Sequence, residues 1–185
     1  MSAAILRALV LYLSVLSAVI LVQPAFAEQP DAELERQVKS TYIFKFGNYI
    51  KWPDKAFSGP ASPIVIGIIG DDLVAEELNK IATRHTAANR PVIIKQVNEG
   101  NLNEGVHILY IANDVKKYLT DYRNAHPHSP TLYISDTDDG IAMGSTINFV
   151  RVNDRLRFDV SLPATEQSNI KLDASLLTVA RKVIK

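Results

Sequence analysis

Apolar and polar positions follow two different periods along this chain. From residue 34 the apolar side chains return every fourth position, as Leu34, Val38, Tyr42, Phe46 and Ile50, with Ile43 and Tyr49 beside them and Glu35, Arg36, Lys39 and Lys45 between. That is the spacing of an amphipathic helix. Trp52-Pro53 sets its end, because the residue before a proline is pushed out of the helical region. Residues 57–63, with serine, glycine and two prolines, form a loop. Ile64–Ile69 is then a near-continuous β-branched run, the mark of a strand buried on both faces. Gly70 turns the chain, and Asp71 or Asp72 caps a helix that carries Leu73, Val74, Leu78 and Ile81 inward. Further strands are expected at residues 91–97, 106–112 and 131–135. Between the last two, Asn113-Asp114 caps a helix bearing Val115, Tyr118, Leu119 and Tyr122.

The last third of the chain changes character. Residues 146–152 and 155–161 flank Asn153-Asp154, a two-residue turn. That turn sets Val152 opposite Arg155 and Phe149 opposite Phe158. Ile147, Phe149, Leu156, Phe158 and Val160 then share one face, and Asn148, Arg155, Arg157 and Asp159 the other. A final helix, capped by Asp173, carries Leu176, Leu177, Val179, Ala180 and Val183, with Arg181, Lys182 and Lys185 near its end. The succession predicts a single α/β domain: a largely parallel sheet flanked by helices on both faces, with a C-terminal antiparallel hairpin at its edge.

Composition narrows the setting. Arg7 precedes an apolar run over residues 8–22, Gln23-Pro24 breaks it, and Ala25-Phe26-Ala27 follows with small residues where a signal peptidase reads. The run is about 15 residues, shorter than a bilayer span. Residues 1–27 are therefore expected to be a cleavable signal peptide and residues 28–185 the mature domain of an exported, periplasmic protein. The 185 residues include no cysteine. Disulfides, thiolate metal sites and cysteine nucleophiles are excluded, and stability has to come from packing. Twenty basic residues balance twenty acidic ones, so the charge gives no case for nucleic acid.

Few segments of the chain carry residues in a pattern that chemistry requires. Gly67-Ile68-Ile69-Gly70-Asp71-Asp72 joins a strand to a helix, but it lacks the glycine fingerprint and lysine of nucleotide-binding loops. Asp136-Thr137-Asp138-Asp139-Gly140 misplaces the glycine and glutamate of a calcium loop and reads as a solvated turn. His126 and His128 form the one close histidine pair and would need a third ligand such as His85. His107 reads as a packed residue with one hydrogen bond. Ser145 follows Gly144 without a nucleophile elbow. No catalytic residue, metal ligand or cofactor is assigned, and the chain reads as a non-enzyme.

The aromatic residues say more. Tyr42, Phe44, Phe46, Tyr49, Trp52 and Phe57 crowd the first helix and its exit. Phe44 points away from the Tyr42 and Phe46 stripe, so either a second layer covers it or it faces a partner. Arg151, Arg155 and Arg157 line the hairpin as a solubilising edge or the rim of an interface. Phe44, Trp52, Phe57, Arg155 and Arg157 are accordingly the candidate partner-binding residues.

Several segments, in order, resemble the YfiR-like family of small periplasmic proteins. They are Tyr42-Ile43-Phe44-Lys45-Phe46 through Tyr49-Ile50-Lys51-Trp52-Pro53, the strand ending Gly70-Asp71-Asp72, Asn89-Arg90-Pro91-Val92, His107-Ile108-Leu109-Tyr110-Ile111, Ile147-Asn148-Phe149-Val150, Arg157-Phe158-Asp159-Val160-Ser161-Leu162, and residues 172–180. The resemblance spans residues 34–183. It implies a regulator that binds and represses an inner-membrane diguanylate cyclase, or serves a sensor kinase or other membrane signalling protein, with an outer-membrane-linked antagonist. A homodimer is compatible with it. It implies no catalytic or metal residue. The family's YfiR is redox-sensitive through cysteines, and that control cannot operate in a chain without them. The alternative is a periplasmic small-molecule-binding protein, with its ligand at the carboxyl ends of the strands near Gly70-Asp71-Asp72, Ala112-Asn113-Asp114 and Asp136. A hydrolase whose site is assembled by folding is the third reading.

Overall fold

The computed structural model describes residues 30–98, 105–127 and 129–185. The expected signal peptide and His128 lie outside them. Residues 34–185 make one compact unit. The helices and strands of the described residues are α1 (Pro30–Phe46), β1 (Ile50–Lys51), β2 (Ile64–Ile69), α2 (Asp72–Ala82), β3 (Val92–Gln96), β4 (Ile108–Ile111), α3 (Lys117–Ala125), β5 (Leu132–Ser135), β6 (Ile147–Val152), β7 (Arg155–Ser161), α4 (Leu162–Gln167), β8 (Lys171–Leu172), α5 (Ala174–Val179) and β9 (Lys182–Ile184).

Seven strands form one sheet in the order β3-β2-β4-β5-β6-β7-β9, and β1 pairs with β8 separately. All neighbours in the large sheet are parallel except β6 and β7. The period of two along each strand divides the core between two layers. Ile64, Ile66 and Ile68, Ile108 and Tyr110, and Leu132 and Ile134 join the cluster with α1, α2 and α5. Leu109, Ile111 and Tyr133 face the other way, onto Leu119 and Tyr122 of α3.

The hairpin has the register expected of its turn: Val152 pairs with Arg155 and Phe149 with Phe158. Asn153 and Asp154 sit at φ 49° and 57°, the left-handed pair of a type I′ turn. On the inner face, Phe46 of α1 meets the Phe149 ring at 6.0 Å and the Phe158 ring at 5.2 Å.

Five expectations are corrected. First, α1 stops at Phe46, not at Trp52-Pro53. Gly47, Asn48 and Tyr49 donate their N–H groups to the carbonyls of Phe44, Lys45 and Phe46, and Ile50 leaves the helical stripe to pair with Leu172. A Cβ at Gly47 would lie 3.1 Å from Ala87, so the chain turns where only glycine fits comfortably. Second, Leu73 is 46% exposed on α2, whereas Val74 and Leu78 are buried. Third, Asn113 and Asp114 begin a 3-10 turn without a side-chain cap, and α3 starts at Lys117. Fourth, the last helix ends at Val179. Ala180 is extended (φ −65°, ψ 143°), Arg181 N–H donates to the Phe158 carbonyl, and Lys182–Ile184 runs parallel to β7. Fifth, the hairpin is therefore not the rim of the sheet, since β9 lies outside it.

Candidate functional site

The five candidate residues fall into three places. Phe44 is buried, 5% exposed, with its ring edge-on to His85 at 6.5 Å. The packed alternative holds for it, and it reaches a partner only as the floor of a surface groove.

Trp52 and Phe57 are half-buried in a clasp at the amino ends of β2 and β4. The Phe57 ring stacks on His107 at 4.5 Å and 11°, and the Arg90 guanidinium covers it at 3.8 Å. Trp52 stands edge-on to both Phe57 and His107. Arg90 Nη1 donates to the carbonyls of Gly59, Pro60 and Ser62, which fastens the loop. His107 Nδ1 accepts from the Val65 N–H at 3.0 Å, so the neutral ring carries its proton on Nε2, 3.0 Å from the Ala56 carbonyl. That is two hydrogen bonds where the sequence reading allowed one. Burial lowers the His107 pKa below its ordinary value, with nearby Arg90 adding to the effect against the Ala56 bond.

Arg155 and Arg157 are exposed and share the hairpin face turned away from α1, beside half-buried Val150 and Val152. Arg151 points elsewhere along the hairpin and pairs with Glu35 at 2.9 Å. Of the five candidates, these two arginines are the ones that solvent reaches freely.

The acidic turn after β5 is more than a solvated turn. Lys39 Nζ of α1 lies 2.7 Å from Asp136 Oδ2, and the Tyr110 hydroxyl donates to the same oxygen at 2.6 Å. The Lys39 and Asp136 side chains are only 12 and 18% exposed. Burial and the Asp136 carboxylate push the Tyr110 pKa far up, so the phenol stays protonated and serves as a donor, not a base. Asp136 and Lys39 are 97 residues apart in sequence, and no spacing rule connects them. The usable hint was that Lys39 stands four residues before Ile43 and so shares its side of the helix.

Behind that turn, Ser135 Oγ bonds both Ser145 Oγ and Asn148 Oδ1 at 2.6 Å. Ser145 thus meets another hydroxyl, which cannot take its proton as a general base would. Among the described residues, no group of three histidine or acidic side chains is arranged to hold a metal ion. The chemistry the described geometry does support is recognition by charged and apolar surfaces.

A family model described as YfiR/HmsC-like matches residues 36–181. The crystal structure of a conserved domain protein from Vibrio cholerae O1 biovar El Tor str. N16961 is similar in fold, with a TM-score of 0.55 at 10% identity. The match covers 80% of this chain and spans 60% of that protein's length.

Proposed function

Because the chain belongs to the YfiR/HmsC-like family, we propose that it is a periplasmic signalling regulator. In this reading, residues 1–27 are removed on export. The mature protein binds the extracytoplasmic part of an inner-membrane signalling protein, a diguanylate cyclase before a sensor kinase, and holds it inactive. Cyclic di-GMP falls while the complex persists and rises when an outer-membrane-linked antagonist draws the regulator away. A ligand shifts such an equilibrium only through its differential affinity for the two states, so the regulator must prefer the inactive cyclase.

The family match over residues 36–181 carries this reading. The open hairpin face supports it, with Arg155 and Arg157 as the contact residues and Trp52 and Phe57 stiffening the loop at the other end of the sheet. No helix among the described residues is long and apolar enough to cross a membrane. At the Asp136 position named by the ligand-binding alternative, Lys39 and Tyr110 engage only Oδ2, while Oδ1 is buried without a partner.

The test is a cross-linked pull-down from intact cells with the carboxyl end tagged, paired with cyclic di-GMP measurement in a deletion strain. Recovery of a membrane protein with a cyclase or kinase output domain supports the regulator. Recovery that falls with Arg155→Glu/Arg157→Glu places the contact on the hairpin. Unchanged cyclic di-GMP in the deletion strain, with no membrane protein recovered, overturns the reading in favour of ligand binding.

A further inference from the structure

Two grooves run along the exposed side of α1, and they share Thr41 and Lys45. The first encloses about 410 Å³ and is lined by Leu34, Val38 and Tyr42 along one stripe of the helix. Leu34 is 60% exposed there. The second encloses about 580 Å³ between the carboxyl ends of α1 and α2, with buried Phe44 and half-buried Ile81 in its lining and exposed Lys45, Lys80, Arg84 and His85 around them. Leu34 and Lys45 are separated by about 17 Å of helix. The two grooves therefore make one trough, apolar at its amino end and cationic at its carboxyl end.

The cations at that end are not spent on the helix ends. The carbonyls of Phe44, Lys45 and Phe46 accept backbone N–H groups from residues 47–49, and the Ile81 carbonyl accepts from Arg84 and His85. Lys80 is paired with Glu77 at 2.6 Å, the one acidic side chain lining this groove. Lys45 and Arg84 have no ion pair or side-chain hydrogen bond among the described residues.

We infer that this trough is a docking site for an amphipathic segment of a protein partner, a helix with an apolar stripe at one end and an acidic cluster about three turns away. Shape and charge argue for this occupant together. An apolar stripe on α1 accepts side chains at positions i and i+4 of a facing helix. Two uncommitted cations in a rim of three favour carboxylates and disfavour a basic or neutral segment. The inference extends the regulator reading to a second surface, remote from Arg155 and Arg157 on the other side of the sheet.

Peptide display tests it without the membrane partner. Random peptides of about 15 residues are selected on the exported protein. Each enriched peptide is then measured by fluorescence anisotropy against wild type, Lys45→Glu/Arg84→Glu and Leu34→Asp, at about 50 and 500 mM salt. The expected result is enrichment of peptides that join apolar residues to an acidic cluster. They bind the charge-reversed variant at least about 10-fold more weakly, bind Leu34→Asp more weakly, and lose affinity with salt. All three substituted residues are exposed, and Lys45→Ala/Arg84→Ala gives a milder check should the reversed variant melt early. No enrichment, peptides without acidic bias, or equal affinity for all variants overturns the inference. So does concentration-dependent dimerisation abolished by Lys45→Glu/Arg84→Glu, which makes a second copy the occupant. Enriched acidic peptides alongside unchanged cyclic di-GMP in the deletion strain would sink the cyclase reading and leave the trough standing.

Discussion

Acidifying the protein from about pH 7.5 to about pH 4.5 drives a proton toward His107, and the clasp around that ring sets how strongly the folded protein resists it. The neutral imidazole accepts from Val65 N–H and faces the Ala56 carbonyl. A second ring proton turns the Nδ1 acceptor into a donor aimed at a donor, and adds a positive charge near Arg90. Burial already lowers the folded pKa below the ordinary value of 6.5. The unfolded chain therefore takes this proton more readily than the folded one. The contribution to stability is complete above about pH 6.5, is lost as the pH falls from there through the folded value, and is flat below it. One proton sets a ceiling of about 1.4 kcal/mol per pH unit within that window. The ring is half-buried and solvent screens part of the effect, so the slope should stay below that ceiling, under about 4 °C of melting temperature per pH unit. Trp52, the only tryptophan, stands edge-on to His107 at 6.1 Å and reports the transition by fluorescence. Urea melts at several pH values are compared between wild type and His107→Gln, whose amide still accepts from Val65. The difference between the two should open below about pH 6.5 and close above it. Equal pH slopes in the two proteins would refute the role assigned to His107.

Other substitutions probe other joints of the fold. Asp136→Ala strands a mostly buried Lys39 ammonium and should cost about 3 kcal/mol in urea unfolding; a loss below about 0.5 kcal/mol would mean the pair behaves as a surface ion pair. Gly140→Ala would place a Cβ 2.2 Å from Ser135 Oγ and Asn148 Oδ1, so a loss of about 2 kcal/mol is expected, measured the same way. Phe46→Ala opens a cavity between Tyr42, Phe149 and Phe158 and should cost about 4 kcal/mol, lowering expression as well as stability. Arg181→Ala removes the two bonds to Asp159, and residues 182–184 should then lose amide-exchange protection while β6 and β7 keep theirs.

What could be read in advance follows from where the information sits. Ile64–Ile69 was legible as a strand because its β-branched run is bounded by turn residues, and the hairpin register because Asn153-Asp154 admits one turn type and one pairing. The end of α1 was misread because Ile50 continues the helical spacing, while the stop comes from Gly47 packing against Ala87 on a distant loop. The last strand was misread for the same kind of reason. Val179, Ala180 and Val183 keep a helical spacing, and only docking of Arg181 on Phe158 and Asp159 draws the chain into the sheet. Of the candidate site, the type of surface was legible but not its arrangement. Residues chosen as one aromatic and basic set turned out to occupy three places, and the Lys39–Asp136–Tyr110 contacts join three elements that no local pattern links.

The rigidity of α1 bears on how a protein without cysteines can regulate. A disulfide switch is closed to it, so any change of affinity has to come from non-covalent parts. The buried side of α1 is fixed by Ile43 and Phe46 in the core and by Lys39 on Asp136, while the proposed trough lies on its other side, with buried Phe44 at the margin between them. A segment settling into the trough meets a surface that need not move, as in complexes whose interfaces are pre-organised. The conformational change then belongs to the partner, and the regulator acts as a rigid ligand for one of the partner's two states. Amide exchange separates this from a mobile-helix mechanism. Protection across residues 36–46 should be unchanged or raised when an enriched acidic peptide binds. A loss of protection there would mean that binding pries α1 from the sheet, and the Lys39–Asp136 pair would then be a latch, not an anchor.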